Sequence, residues 1–191
     1  GSRDELPGKW GLAHFVEHTI FKGTRRRRAW HIINRMERVG GELNAYTTKE
    51  ETMVYSIFPR EHFARATELI ADLVANSQFP AAELAKEREV VLDEVDSYLD
   101  SPAEAIYDDF EDLIWKGSAL GHNILGVEAD LLTITGDDCR DYLDRLYVPE
   151  NMVFFALGNM RHDVVARTAE RYLGALNHRL NRTVRTAPAK V

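Results

Sequence analysis

Apolar residues recur at helical spacing through most of this chain, and only three short segments have the character of strands. Helical spacing covers residues 12–21, 25–39, 60–76, 80–98, 101–114, 137–146 and 161–173. The strand-like segments cover residues 42–48, 52–58 and 151–157. Because strands and helices do not alternate regularly, the pattern predicts an α+β fold.

The composition argues against several classes of protein. The single cysteine, Cys139, excludes an intramolecular disulfide and a multi-cysteine zinc site. The net charge of −7 argues against a nucleic-acid-binding protein. No apolar run has the length of a membrane span, and the N-terminus has no apolar signal-peptide segment. We therefore expect a soluble protein, cytoplasmic or periplasmic if bacterial, and the compartment stays open.

The segment from His14 to His18 has the sequence His-Phe-Val-Glu-His within a predicted helix. Residues at positions i and i+4 lie on one face of a helix, so both imidazoles can reach one ion. Zinc accepts such ligands and keeps one position open for water when it is catalytic. Glu17 can reach that water without being a ligand, and this inverted motif is a metallopeptidase signature. The alternative is a pair of surface histidines beside a solvated glutamate.

A catalytic zinc site requires a third protein ligand, and the predicted helix over residues 80–98 offers several carboxylates. Glu87 and Glu94 are seven residues apart and lie along one edge of the apolar face of this helix. A charged flank of an ordinary amphipathic helix would look the same, so the residues alone leave the choice open. The candidates are Glu83, Glu87, Glu89 and Glu94.

Several motifs in this chain resemble, in order, those of the inverted-motif zinc metallopeptidases of the pitrilysin and mitochondrial-processing-peptidase family. The resemblance implies the family's metal-binding half, with a mixed, mainly antiparallel sheet covered by helices. It covers nearly the whole chain. The motifs are GLAHFVEH (residues 11–18), FKGT (21–24), GGELNAYT (40–47), EREVVLDEV (87–95), and LG (120–121) with ILG (124–126).

The resemblance also implies a residue set for one zinc ion. Glu94 would be the third ligand beside His14 and His18, and Glu87 would support the site from behind a ligand. Glu17 would take a proton from the attacking water and pass it to the leaving amine. This chemistry predicts a zinc-dependent endopeptidase acting on extended or unfolded peptides. The alternative is a non-catalytic partner or scaffold subunit of the same fold.

Two further features have both a functional and a plain interpretation. The resemblance implies that Asn44 and Ala45 lie on an edge strand that pairs with an extended substrate, whereas the plain interpretation is an ordinary hairpin. The run Arg25–Arg28 could bind acidic substrates or a membrane surface. Such a run is more often the solvated start of a helix.

The expected domain organisation follows from the same resemblance. Residues 1–175 would form the metal-binding peptidase domain, with the start of the domain missing. Residues 176–191 would be a linker toward an absent second half, which would be a homologous domain or subunit. That half would close over the peptide substrate, so we expect this chain alone to be nearly inactive.

Overall fold

The computed structural model describes residues 1–176 and 185–188, and its elements follow the predicted order. The one-turn helix α6 is too short to give a periodic signal, and the sequence did not predict it. The helices are α1 (Leu12–Thr19), α2 (Ala29–Glu37), α3 (Phe63–Asn76), α4 (Ala81–Leu99), α5 (Pro102–Ile114), α6 (Glu128–Leu131), α7 (Gly136–Leu146) and α8 (His162–Leu173), and the strands are β1 (Glu42–Thr47) and β2 (Thr52–Ile57).

Helix α1 lies between two clusters of buried apolar side chains. Its residues Phe15 and Val16 pack with α4, α6 and α7 in the first cluster. Ile20, directly after the helix, packs with α2 and α3 in the second. Phe15, Val16 and Ile20 are almost fully buried. A short helix that is anchored on two sides is held firmly, and α1 is the helix that carries the histidine motif.

Strands β1 and β2 form an antiparallel hairpin whose register runs from Glu42 opposite Ile57 to Thr47 opposite Thr52. Leu43 and Val54 pack against the second apolar cluster. The hairpin therefore lies beside α1 and α2, and β1 contacts both helices. The described residues thus form a helix-rich α+β structure with an antiparallel sheet, as predicted.

Two features differ from the sequence prediction. The predicted strand over residues 151–157 is wrong, because no strand among the described residues pairs with it; Val153 and Leu157 are 91% and 90% exposed. An apolar segment becomes a strand only when a neighbouring strand takes up its backbone hydrogen bonds. The apolar face predicted for α5 is also largely exposed, with Phe110 at 60% and Leu113 at 72%.

The C-terminal residues are only partly described. Most of the predicted linker, 176–191, lies outside the described residues. Arg185 is described, and its guanidinium donates to both carboxylate oxygens of Asp4 at 3.0 and 2.8 Å. Within the described part of the chain, no helix combines the length and apolar character that a membrane crossing requires.

Candidate metal centre

Helix α1 presents His14 and His18 on one face, one turn apart. Their ring centroids are 4.5 Å apart and their planes meet at 67°. Gly11 directly precedes the helix as its N-cap, and its φ of +94° suits a residue without a side chain. His14 is buried and His18 half-buried. The fold therefore holds both imidazoles close together at the edge of the core.

Helix α4 brings a carboxylate to these two imidazoles. Glu94 Oε2 lies 3.8 Å from His14 Nε2 and 3.5 Å from His18 Nε2. One ligand atom from each of the three residues lies within 4.8 Å of the other two. The register of α4 is fixed by Val91, which is fully buried in the same apolar cluster as Phe15. Among the glutamates that the sequence left open, Glu94 is therefore the one that meets both histidines.

This donor set fits zinc. In a tetrahedral site with Zn–N bonds of about 2.0–2.1 Å, ligand atoms lie roughly 3.3 Å apart. The separations of 3.8 and 3.5 Å from the Glu94 oxygen to the two histidine nitrogens are close to this value. The pKa of His14 is lowered to about 4, chiefly by burial and further by the neighbouring His18. His14 is therefore neutral at pH 7, and its nitrogen lone pair is free to bind a metal. Two nitrogens and one oxygen leave a fourth position open, as in catalytic zinc sites.

Glu87 lies on the opposite side of the His18 ring from Glu94. Its Oε2 is 3.4 Å from His18 Nδ1, and its Oε1 is 2.5 Å from Lys22 Nζ. A carboxylate behind a metal-binding histidine fixes the orientation of the ring. Lys22 in turn holds that carboxylate. The sequence indicated Glu87 but not Lys22, although Lys22 follows His18 by one helical turn.

Glu17 is partly buried and lies between the two histidines on α1. Burial raises its pKa, and the charge of Glu94 acts in the same direction. The Thr47 side chain at the end of β1 and His18 oppose this shift. The pKa of Glu17 thus responds both to the hairpin and to the metal-binding residues. A carboxylate with a raised pKa is a better proton acceptor than an ordinary glutamate.

Asn44 and Ala45 lie on β1, next to this site. Among the described residues β1 pairs only with β2, so no described strand pairs with its other edge. Ala45 lies opposite Val54 in the ladder, and its N–H donates to Oδ1 of Asn44 at 2.8 Å. The second edge of β1 is therefore not paired with any described strand.

The comparisons with known proteins decide the family. Residues 1–128, which include all the residues above, match the family described as Insulinase (Peptidase family M16). This chain belongs to peptidase family M16. Residues 133–191 match the family's "Peptidase M16 inactive domain". The metal-binding candidates thus all fall in the first of the two matched regions.

Relatives and solved structures agree with this M16 assignment. An "Uncharacterized zinc protease" of Rickettsia bellii is 38% identical over 92% of this chain and 43% of its own length. The beta subunit of the mitochondrial-processing peptidase of Caenorhabditis elegans is 33% identical over 93% of this chain and 39% of its own length. A Helicobacter pylori protease superimposes over the whole chain and 46% of its own with a TM-score of 0.88 at 25% identity. Pitrilysin shares the fold, with a TM-score of 0.87 at 19% identity over the whole chain and 21% of its own.

The N-terminus of α1 in this M16 chain is held by a residue that the sequence did not indicate. The Glu5 side chain is fully buried and accepts from the N–H groups of Gly11 and Ala13 at 3.1 and 2.6 Å. Its Oε2 also lies 3.0 Å from His122 Nε2, and the His122 ring stacks on Trp10 at 4.1 Å. Ala13 directly precedes His14. Glu5 therefore fixes the helix end from which the first histidine projects.

The loop that carries His122 is fixed by close backbone packing. Gly126 has a φ of +80°, and a Cβ there would lie 2.2 Å from the carbonyl oxygen of Trp10. A Cβ on Gly11 would lie 2.6 Å from the carbonyl oxygen of Leu125. Only glycines allow the two segments to come this close. This packing gives a physical reason for the glycines in the sequence motifs at both positions.

Proposed function

We propose that this chain is the metal-binding part of a zinc-dependent endopeptidase that hydrolyses extended or unfolded peptides. The observation that carries the proposal is the meeting of His14, His18 and Glu94, with Glu17 on the same helix as the histidines. Several relatives are named as zinc proteases, which supports the choice of zinc. The chain spans only about two fifths of those relatives, so the activity is a proposal about the whole protein.

Each residue has a defined part in the reaction. His14, His18 and Glu94 would hold the ion, and Glu87 would keep the His18 ring in place through its Nδ1. A bound zinc ion lowers the pKa of water and polarises a carbonyl group. Glu17 takes the proton from the attacking water and later gives it to the leaving amine. The raised pKa of Glu17 favours the first of these transfers.

The open edge of β1 supports an extended peptide as the substrate. A peptide that adds as a further strand gains backbone hydrogen bonds without regard to its sequence. At Asn44 and Ala45 it would lie on the strand that ends at Thr47, whose side chain acts on Glu17. The Asn44 side chain, which binds the Ala45 N–H, would have to give way to the peptide. One strand edge holds a peptide on one side only, which supports a second half or subunit as a partner.

A non-catalytic subunit of the same fold is the alternative. It is less well supported, because the fold brings all three ligand candidates together and buries the candidate base beside them. A subunit without activity has no need of that complete set. The alternative makes a clear prediction: zinc binds but no peptide is cleaved.

The test replaces Glu17 in the complete protein with Gln and measures zinc content and cleavage of a quenched fluorescent peptide together. We expect the zinc content to be unchanged and kcat to fall by about 10²–10⁴, the usual share of a general base. Glu37→Gln, at an exposed position on α2, is the matched control and should leave both unchanged. Normal turnover in Glu17→Gln would exclude Glu17 as the base. Zinc binding without turnover in the unmodified protein would favour the non-catalytic subunit.

A further inference from the structure

The four arginines of the run Arg25–Arg28 have two different environments in the structure. Arg25 and Arg28 are exposed to solvent, as expected for the start of a helix. The two arginines between them take part in a groove of about 210 Å³ between α2 and α3. Its lining residues are Arg26, Arg27, Trp30, His31, Asn34, Arg35, Arg38 and Arg65.

The groove is positively charged, whereas the chain as a whole is negatively charged. Five guanidinium groups line it. The carboxylates that pair with them are Glu68 and Asp72, which lie 2.6 and 2.5 Å from Arg27, and Glu68 also lies 2.6 Å from Arg35. The two carboxylates leave an excess of three positive charges in the groove, in a chain whose net charge is −7.

Several donors in the groove are available to a ligand. The Arg26 side chain is 67% exposed, and its ion pair with Asp72 is long at 3.9 Å. Arg38 is exposed and lies over the half-exposed Trp30 ring at 5.8 Å. Arg27 and Arg35 are held by Glu68, so the groove is built before any ligand arrives.

We propose that this groove binds an acidic segment of a peptide. The guanidinium group matches a carboxylate with two parallel hydrogen bonds, and five such groups line the groove. The Arg38 guanidinium lies 5.8 Å from the Trp30 ring within this groove of about 210 Å³. Because five guanidinium groups line one groove, several carboxylates of one peptide can be bound there together, whereas a single small anion would use only some of them.

This proposal rests on the proposed function, because the acidic segment bound in the groove would be part of a peptide substrate. Binding itself does not depend on cleavage. The metal-binding residues lie on α1 and α4, whereas the groove lies on α2, α3 and the residues directly before α2. The two sites can therefore be tested separately.

The experiment measures binding of fluorescein-labelled hexaglutamate to the Glu17→Gln protein by fluorescence anisotropy at low and moderate salt. The Glu17→Gln background removes cleavage from the measurement. The double substitution Arg26→Gln/Arg38→Gln should weaken binding about tenfold at low salt, since each exposed ion pair contributes a factor of about three. It should also reduce the salt dependence of binding. Arg25→Gln/Arg28→Gln removes the same charge outside the groove and should weaken binding less than twofold or so.

Equal weakening by both double variants would overturn the proposal, because it would mean that only the overall charge matters. Equal binding of hexaglutamine would overturn it as well. Displacement of the peptide by a lower concentration of a short single-stranded oligonucleotide, lost in Arg26→Gln/Arg38→Gln, would assign the groove to another class of ligand. Peptide binding in the groove, together with no peptide cleavage by the complete protein without the Glu17→Gln substitution, would contradict the proposed function and leave the groove proposal standing.

Discussion

Removal of the Glu5 carboxylate should loosen the helix that carries the histidine motif. Glu5→Ala leaves the N–H groups of Gly11 and Ala13 buried without their acceptor. An unsatisfied buried polar group costs about 1–3 kcal/mol. The helix also loses a negative charge at its N-terminus, a smaller favourable term. Burial raises the pKa of the Glu5 carboxyl group, which shows that the buried charge carries a desolvation cost. The substitution removes this cost, which offsets part of the loss.

The net effect is a loss of about 3 kcal/mol in the free energy of unfolding, or about 6–12 °C in Tm for a domain of this size. Urea and thermal unfolding followed by circular dichroism at pH 7 measure it. Glu61→Ala, at an exposed position, is the control and should stay within about 0.5 kcal/mol of the unmodified chain. Glu5→Gln keeps one acceptor oxygen and should fall between the two. If Glu5→Ala unfolded like the control, the assignment of Glu5 as the anchor of α1 would be wrong.

Two further predictions concern the site itself. Glu87→Gln should weaken zinc affinity about tenfold or more, because the His18 ring loses its charged neighbour. Competition with a chelator measures the affinity, and Glu89→Gln on the exposed face of α4 is the control. Equal zinc affinities of the Glu87→Gln and Glu89→Gln proteins would contradict the prediction. In the metal-free folded chain the pKa of His14 is about 4, compared with 6.5 in the unfolded chain. As the pH falls, the unfolded state therefore binds a proton before the folded state does. The free energy of unfolding should fall by up to about 3 kcal/mol between about pH 7 and pH 4. Urea unfolding in the presence of a chelator checks this against His14→Gln, in which the slope should be smaller; equal slopes would refute it.

The sequence predicts the elements well where a local pattern determines them. The spacing of His14 and His18 fixes their common face, because i and i+4 lie together on any helix. Glu94 is different, since its place beside them depends on how α4 packs on α1. Helical periodicity alone left four glutamates open, and the family resemblance was needed to choose one.

The remaining features depend on contacts between distant parts of the chain. Glu5 lies in a polar loop with no local sign of its role, and its partner His122 is 117 residues away. Residues 151–157 form a strongly apolar run, as a buried strand does, but no described strand pairs with them. The arginine run looks like a solvated helix start, and only the packing of α3 on α2 turns part of it into a groove.

Zinc stoichiometry tests the central claim most directly. The unmodified chain, His14→Ala, His18→Ala and Glu94→Gln are equilibrated with the same buffered free zinc and analysed for bound metal. Glu83→Gln is the control, since Glu83 lies on α4 and pairs with Lys86 away from the site. We expect one zinc per chain in the unmodified protein and the control, and strongly reduced zinc in the other three. Full occupancy in all three variants would contradict the assignment of His14, His18 and Glu94 as the metal centre.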